Sequence, residues 1–131
     1  MAKIKLLIDT DIFIDALKEV KSARELFRSK DILLYCSILT RKELLSKRGL
    51  KDSERRKIMD LFLKIRVLRI DDHISRKYFE LIKKYGEKQE MLIDYIIAAT
   101  AWAKDLPLLT RNRKHFEHIK EIKLIPEYNA E

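Results

Sequence analysis

Short apolar runs alternate with helix-like segments along this chain, and most runs hand over to an acidic or polar residue where a helix begins. Residues 3–8, 31–35, 67–70, 107–110 and 122–125 read as strands. Residues 11–18, 21–29, 38–47, 52–65, 92–104 and 112–119 read as helices. A further helix begins at Asp71 or Asp72, runs to Tyr85 and stops at Gly86, and 87–91 form a polar loop. Asp52 or Ser53 caps the helix at 52–65, with Glu54 in its first turn. Strands alternating with helices argue for a parallel sheet covered on both faces. The first, second and fourth runs are almost wholly apolar, as strands buried on both faces are. The expected architecture is a three-layer α/β/α sandwich on a parallel, roughly five-stranded sheet.

Such a sheet has one place for chemistry, the crevice outside the carboxyl ends of its strands. Three acids fall at suitable points. Asp9 follows the first strand, Glu43 lies in the second turn of the helix after the second strand, and Asp94 opens an apolar helix. Each also has a plainer explanation. Glu43 could be a surface residue or the capping-box partner of Thr40. Asp94 could cap its helix, hold a ligand, or both. Asp11 reads as the N-cap of the first helix, which leaves Asp9 pointing out from the strand end with no structural role. Asp15 falls a turn later and reads as solvated.

A fourth feature follows strand 107–110, where Thr110-Arg111-Asn112-Arg113-Lys114 opens the next helix. Thr110 and Asn112 are placed to hydrogen-bond a carboxylate or a water on a metal. Arg111, Arg113 and Lys114 could hold phosphates, and an ordinary Asn cap with solvated basic neighbours fits the same residues. Acids gathered at one point repel unless a cation lies between them. Oxygen ligands suit Mg²⁺ or Mn²⁺. Such an ion activates water and stabilises charge growing on phosphorus, so the expected chemistry is hydrolysis of phosphate esters.

Composition narrows the setting. The chain has 131 residues, which suggests a single domain over 1–131, and 47% of them are hydrophobic, enough for a core. No apolar run approaches the roughly 20 residues that cross a bilayer. Met1-Ala2-Lys3 leads straight into the first strand, so the expected location is the cytoplasm. Cys36 is the only cysteine, which excludes an intrachain disulfide and a cysteine-based zinc site, and it reads as a buried thiol. His73, His115 and His118 lack helical metal-ligand spacing and read as surface or second-tier residues. The net charge of +8 suits a polyanion such as RNA or DNA. Charged residues make up 38% of the chain and Gln89 is its one glutamine, a bias that heat adaptation also produces. The basic run from Arg41 to Lys57 is either solvated helix surface or the border of a nucleic-acid groove.

Taken in order, Leu7-Ile8-Asp9-Thr10-Asp11-Ile12-Phe13-Ile14-Asp15, Thr40-Arg41-Lys42-Glu43-Leu44, Asp94-Tyr95-Ile96-Ile97-Ala98-Ala99-Thr100-Ala101 and Leu109-Thr110-Arg111-Asn112-Arg113-Lys114-His115-Phe116 resemble the motifs of PIN-domain ribonucleases, most closely the VapC-type toxins of toxin–antitoxin pairs. The resemblance spans about residues 4–125. It implies that Asp9, Glu43 and Asp94 are catalytic acids that bind Mg²⁺ or Mn²⁺, with Asn112 beside them and Asp11 and Thr110 in support. It implies RNA as substrate, with Arg41, Arg111, Arg113 and Lys114 near it, together with a homodimer and a cognate antitoxin. In that family the last motif often supplies a fourth acid. This chain has no Asp or Glu there before Glu117, and Asn112 is the nearest polar substitute.

Three rival functions differ in kind. Asp9-Thr10-Asp11 imitates the Asp-x-Asp nucleophile of haloacid dehalogenase-type phosphotransferases, but neither Gly49 nor Gly86 precedes the acid pair that fold needs. The same two glycines exclude a P-loop or Rossmann fingerprint. A PIN-like module could bind RNA or a partner without cutting, or a nuclease of this fold could serve RNA maturation or DNA processing.

Overall fold

The computed structural model describes residues 3–126. The expected domain over 1–131 runs past these at both ends, and Met1 and Ala2 lie outside the described residues. The strands are β1 (Ile4–Ile8), β2 (Ile32–Ser37), β3 (Arg66–Leu68) and β4 (Leu108–Leu109). The helices are α1 (Thr10–Leu17), α2 (Lys21–Arg28), α3 (Ile38–Leu45), α4 (Asp52–Phe62), α5 (Asp72–Tyr85), α6 (Leu92–Ala103) and α7 (Arg113–Phe116). A 3-10 turn, Gln89–Met91, occupies the loop before α6.

The strands pair in parallel in the order β3-β2-β1-β4. The α/β/α sandwich thus stands, with one correction. Residues 122–125 make only a parallel bridge, Leu108 to Leu124, in place of a fifth strand. β4 is two residues long, and among the described residues its far edge makes two backbone hydrogen bonds. Leu108 N donates to Lys123 O at 2.8 Å and Ile125 N donates to Leu108 O at 2.9 Å. Pro126 follows and has no N–H with which to extend the pairing.

Side chains that alternate along β1 explain the layers. Leu6 and Ile8 face one core with Leu34 and Cys36 of β2, under Phe13, Phe27, Ile58 and Phe62 of the helices. Phe13 packs its ring 5.4 Å from Phe27 and 4.8 Å from Phe62. Leu7 faces the opposite core, with Leu108 and the buried stripes of α5 and α6, among them Ile74, Leu81, Tyr95 and Ile97. Cys36 is fully buried, and desolvation pushes its thiol up to about 12. Trp102, which its apolar helix would place in the core, is only half-buried and carries Lys77 Nζ 4.2 Å from its ring centroid.

The caps decide where the helices start. Asp71 caps α5, accepting from Ile74 N at 2.9 Å. Ser37 caps α3, accepting from Leu39 N at 3.1 Å, which puts Thr40 and Glu43 inside the helix and removes the capping-box reading of that pair. α4 begins at Asp52 after Lys51, whose N–H donates to Glu54 Oε1 at 3.4 Å, so neither Asp52 nor Ser53 is the cap. Among the described residues no helix is long and apolar enough to cross a membrane.

Candidate active site

β1 and β4 lie side by side, so their carboxyl ends bring residues 9 and 110 together from opposite ends of the chain. Asp9, not Asp11, is the N-cap of α1. Its backbone is extended, and Oδ1 accepts from Thr10 N at 2.8 Å. The strand ends one residue before the helix starts, so the first acid takes the cap and Asp11 falls into the first turn. Asp9 Oδ2 accepts from the buried Thr110 hydroxyl at 2.9 Å. The same hydroxyl lies 3.2 Å from Asp11 Oδ2, so its single proton serves two carboxylates. Thr110 Oγ1 in turn accepts from Asn112 N at 3.0 Å, and Arg111 N donates to Asp11 Oδ2 at 3.0 Å. Asp11 Oδ1 is buried and has no hydrogen-bond partner.

Burial and the neighbouring charges together shift the protonation equilibria. Burial first and the Asp11 charge second raise Asp9 to about 6. Hydrogen bonds from Thr10 and Thr110 pull the other way, and Asp94 adds to the rise. Asp11 is also raised, again chiefly by burial, against the hydrogen bonds from Arg111 and Thr110.

Asp94 lies within the first turn of α6, where Met91 holds the cap position, so its side chain is not the helix cap. Its Oδ2 sits 2.9 Å from His115 Nδ1. Asn112 Nδ2 is 2.7 Å from that same nitrogen. The Asn112 side chain therefore meets a histidine rather than a carboxylate, and it makes no cap hydrogen bond to α7. Glu43 is exposed and accepts from Thr10 Oγ1 at 3.0 Å. Thr40 Oγ1 lies 3.3 Å from the same hydroxyl.

These contacts make three small groups, with Asp9 adjacent in sequence to Thr10 and near enough to Asp94 for that charge to raise it. Asp9, Asp11 and Thr110 make the first, Asp94, His115 and Asn112 the second, and Glu43 with Thr10 the third. His115, expected at the surface or in a second tier, contacts Asp94. Its sequence signal was the spacing from Asn112, since residues three apart share a helix face. Asp15, expected in solvent, is buried and lies 3.4 Å from Arg111 Nε. The rest of the basic set divides. Lys114 is exposed and Arg41 is half-buried, whereas Arg113 turns away and donates from Nη1 to Pro126 O at 3.1 Å.

A family model described as PIN domain matches residues 6–122. The chain belongs to the PIN domain family. This PIN domain is 34% identical over 122 residues to Ribonuclease VapC10 of Mycobacterium tuberculosis, covering 90% of each chain. It is 33% identical to Ribonuclease VapC1 of Methanocaldococcus jannaschii, covering 92% of this chain and 85% of that one. Among solved structures, a toxin–antitoxin complex from Klebsiella pneumoniae superposes with a TM-score of 0.74 at 28% identity, covering 95% of this chain and 99% of that one. VapBC2 from Rickettsia felis, bound to a DNA fragment from its promoter, superposes with a TM-score of 0.79 at 22% identity, covering 93% of this chain and 98% of that one. The VapC resemblance of the four motifs therefore stands, and the dehalogenase-type reading falls.

The PIN fold implies a divalent cation, and the donors here suit one. They are carboxylate oxygens, and the orphaned Asp11 Oδ1 is a buried acceptor in need of a positive partner. Among the described residues no three His, Cys, Asp or Glu converge closely enough to form a ligand cage by themselves. Mg²⁺ asks for less, because it keeps several waters and is commonly held by one or two carboxylates plus substrate phosphate.

Proposed function

We propose that this PIN domain is a metal-dependent endoribonuclease, the toxin of a type II toxin–antitoxin pair. The observation that carries the reading is Asp9 itself, a carboxylate at the carboxyl edge of a parallel sheet that burial first, and the charges of Asp11 and Asp94 after it, lift to about 6. The relatives named as VapC ribonucleases support the activity, and the Klebsiella pneumoniae toxin–antitoxin complex supports the biological setting.

Asp9, Asp94 and Glu43 are the residues that would hold Mg²⁺ or Mn²⁺, which when bound supplies Lewis-acid activation of water and neutralises charge growing on the scissile phosphate. The protein does the positioning. Thr110 fixes the Asp9 carboxylate from the β4 side, and Thr10 tethers Glu43 of α3 to the start of α1. Asp11 adds negative charge beside Asp9. Arg111 and Lys114 on the rim, with Arg41 on α3, offer cations to the flanking phosphates of a single strand, which is where sequence-selective RNA recognition generally operates. Arg113 contributes less, since its guanidinium is committed to Pro126. The partners in this reading are RNA, a second copy of the chain and a cognate antitoxin protein that covers the crevice, and the place of action is the cytoplasm.

The test is incubation of the purified protein with total RNA in Mn²⁺, in Mg²⁺ and in EDTA, beside Asp9→Asn. Discrete fragments that need both metal and Asp9 establish the nuclease. Metal binding without cleavage of RNA or DNA favours a non-catalytic PIN module, and cleavage of DNA alone moves the assignment to a DNA-processing nuclease.

A further inference from the structure

Among the described residues, His115 is the one hydrogen-bond partner of the Asp94 carboxylate. Asp9 is held by a backbone N–H and by Thr110, and Glu43 by Thr10. Asp94 has no such support from its own helix. The contact sits where the family's last motif often carries an acid and this chain carries Asn112.

The geometry at Nδ1 is selective. One ring nitrogen faces Asp94 Oδ2 at 2.9 Å and the Asn112 amide at 2.7 Å. A neutral imidazole nitrogen either donates or accepts, and it cannot do both. If Nδ1 carried the lone pair, it would accept from Asn112 and set that lone pair against a carboxylate oxygen. If Nδ1 carries the hydrogen, it donates to Asp94. A half-turn of the Asn112 amide then lays its oxygen against the same N–H, which shares its one proton between Asp94 and Asn112, and no lone pair faces another. The ring is half in solvent, with a side-chain exposure of 49% against 18% for Asp94, so the histidine covers the outer side of a mostly buried acid.

We infer that His115, held in its Nδ1–H form with the help of Asn112, is a positioning residue that orients the Asp94 carboxylate for the divalent cation. The pair His115 and Asn112 thus takes the place of the fourth acid, acting on a ligand instead of being one. Partners of this kind govern the aim of a ligating carboxylate, and their loss typically costs about 10- to 100-fold in metal affinity or activity. The inference rests on Asp94 being a metal ligand.

The experiment measures Mn²⁺ affinity by calorimetry on the full chain, together with kcat and KM for RNA cleavage and the melting temperature without metal. Asparagine places an amide donor near the position of Nδ1, while glutamine places one near Nε2. His115→Asn is expected to stay close to wild type in Mn²⁺ affinity. His115→Ala and His115→Gln are expected to weaken it by about 10-fold or more, with kcat falling more than KM rises and the metal-free melting temperature unchanged. The inference is overturned if His115→Ala binds Mn²⁺ like wild type, if glutamine restores binding as well as asparagine does, or if kcat falls while Mn²⁺ affinity stays put. Asp94→Asn is the control for the underlying reading. Wild-type Mn²⁺ affinity in that variant removes Asp94 from the metal site, a failure distinct from loss of the His115 effect alone.

Discussion

Asp9 shows what one residue carries in this fold. It ends a strand, caps a helix and shares a hydroxyl proton with Asp11, and its carboxyl is lifted to about 6. A folded-state value above the unfolded one means that the folded chain binds this proton more tightly. Stability therefore falls as the pH rises from about 4 to about 6 and stays lower above that window. Asp9→Asn removes the charge and keeps an acceptor for one of the two hydrogen bonds. It should stabilise the metal-free protein at pH 7 by on the order of 2 kcal/mol, with the gain gone near pH 4. Urea titrations at the two pH values measure this, and equal gains at both would refute it. The same variant should lose RNA cleavage, as should Glu43→Gln and Asp94→Asn, each with an intact far-UV circular dichroism spectrum. Asn112→Ala should lose less, because its side chain reaches Asp94 only through His115. The types and positions of these acids were legible in the sequence, but their roles at the helix starts were not. Asp9 and Asp11 both stand where a cap could be, and the choice depends on where the strand ends to within one residue.

The elements that build the site contribute their functional groups at or near their ends, so the ends matter more than the lengths. α3 starts at Ser37, whose fully buried hydroxyl accepts from Leu39 N, and this fixes the rotation that presents Glu43 to Thr10. Ser37→Ala should cost about 1 kcal/mol of stability and lower cleavage without abolishing it, read from urea denaturation beside an RNA assay. Retention of full stability would mean that the hydroxyl is not the cap. The alternation of strands and helices was visible from apolar runs and caps, because both are local signals. The fifth strand was not, because Ile122-Lys123-Leu124-Ile125 has the composition of a strand while pairing depends on how much edge β4 offers. Asp15 was misplaced for a related reason. Its helix position gave no hint that Arg111, nearly a hundred residues away, would come over it.

For the molecule as a whole, the buried carboxylates are a cost that a bound cation would offset. The acids destabilise one another when the cation is absent, so binding should stabilise the folded state by mass action, about 2.7 kcal/mol at a 100-fold excess over Kd. Differential scanning calorimetry should show the melting temperature rising with Mn²⁺ and falling back in EDTA, with Asp9→Asn unresponsive. An identical response from wild type and Asp9→Asn would place the metal elsewhere. The exposed apolar side chains Phe79 on α5 and Ile93 on α6 are available to a second copy, and light scattering can test the dimer. The adjacency of β1 and β4 has a consequence in time as well as in space. The first strand is made early, and Thr110, which completes its site, is made 101 residues after Asp9. A chain emerging from the ribosome holds Asp9 without Thr110 or His115 until β4 pairs with β1, so the candidate site stays incomplete until then. On the proposed function, the capacity to cut arrives only when β4 and the turn after it dock beside β1.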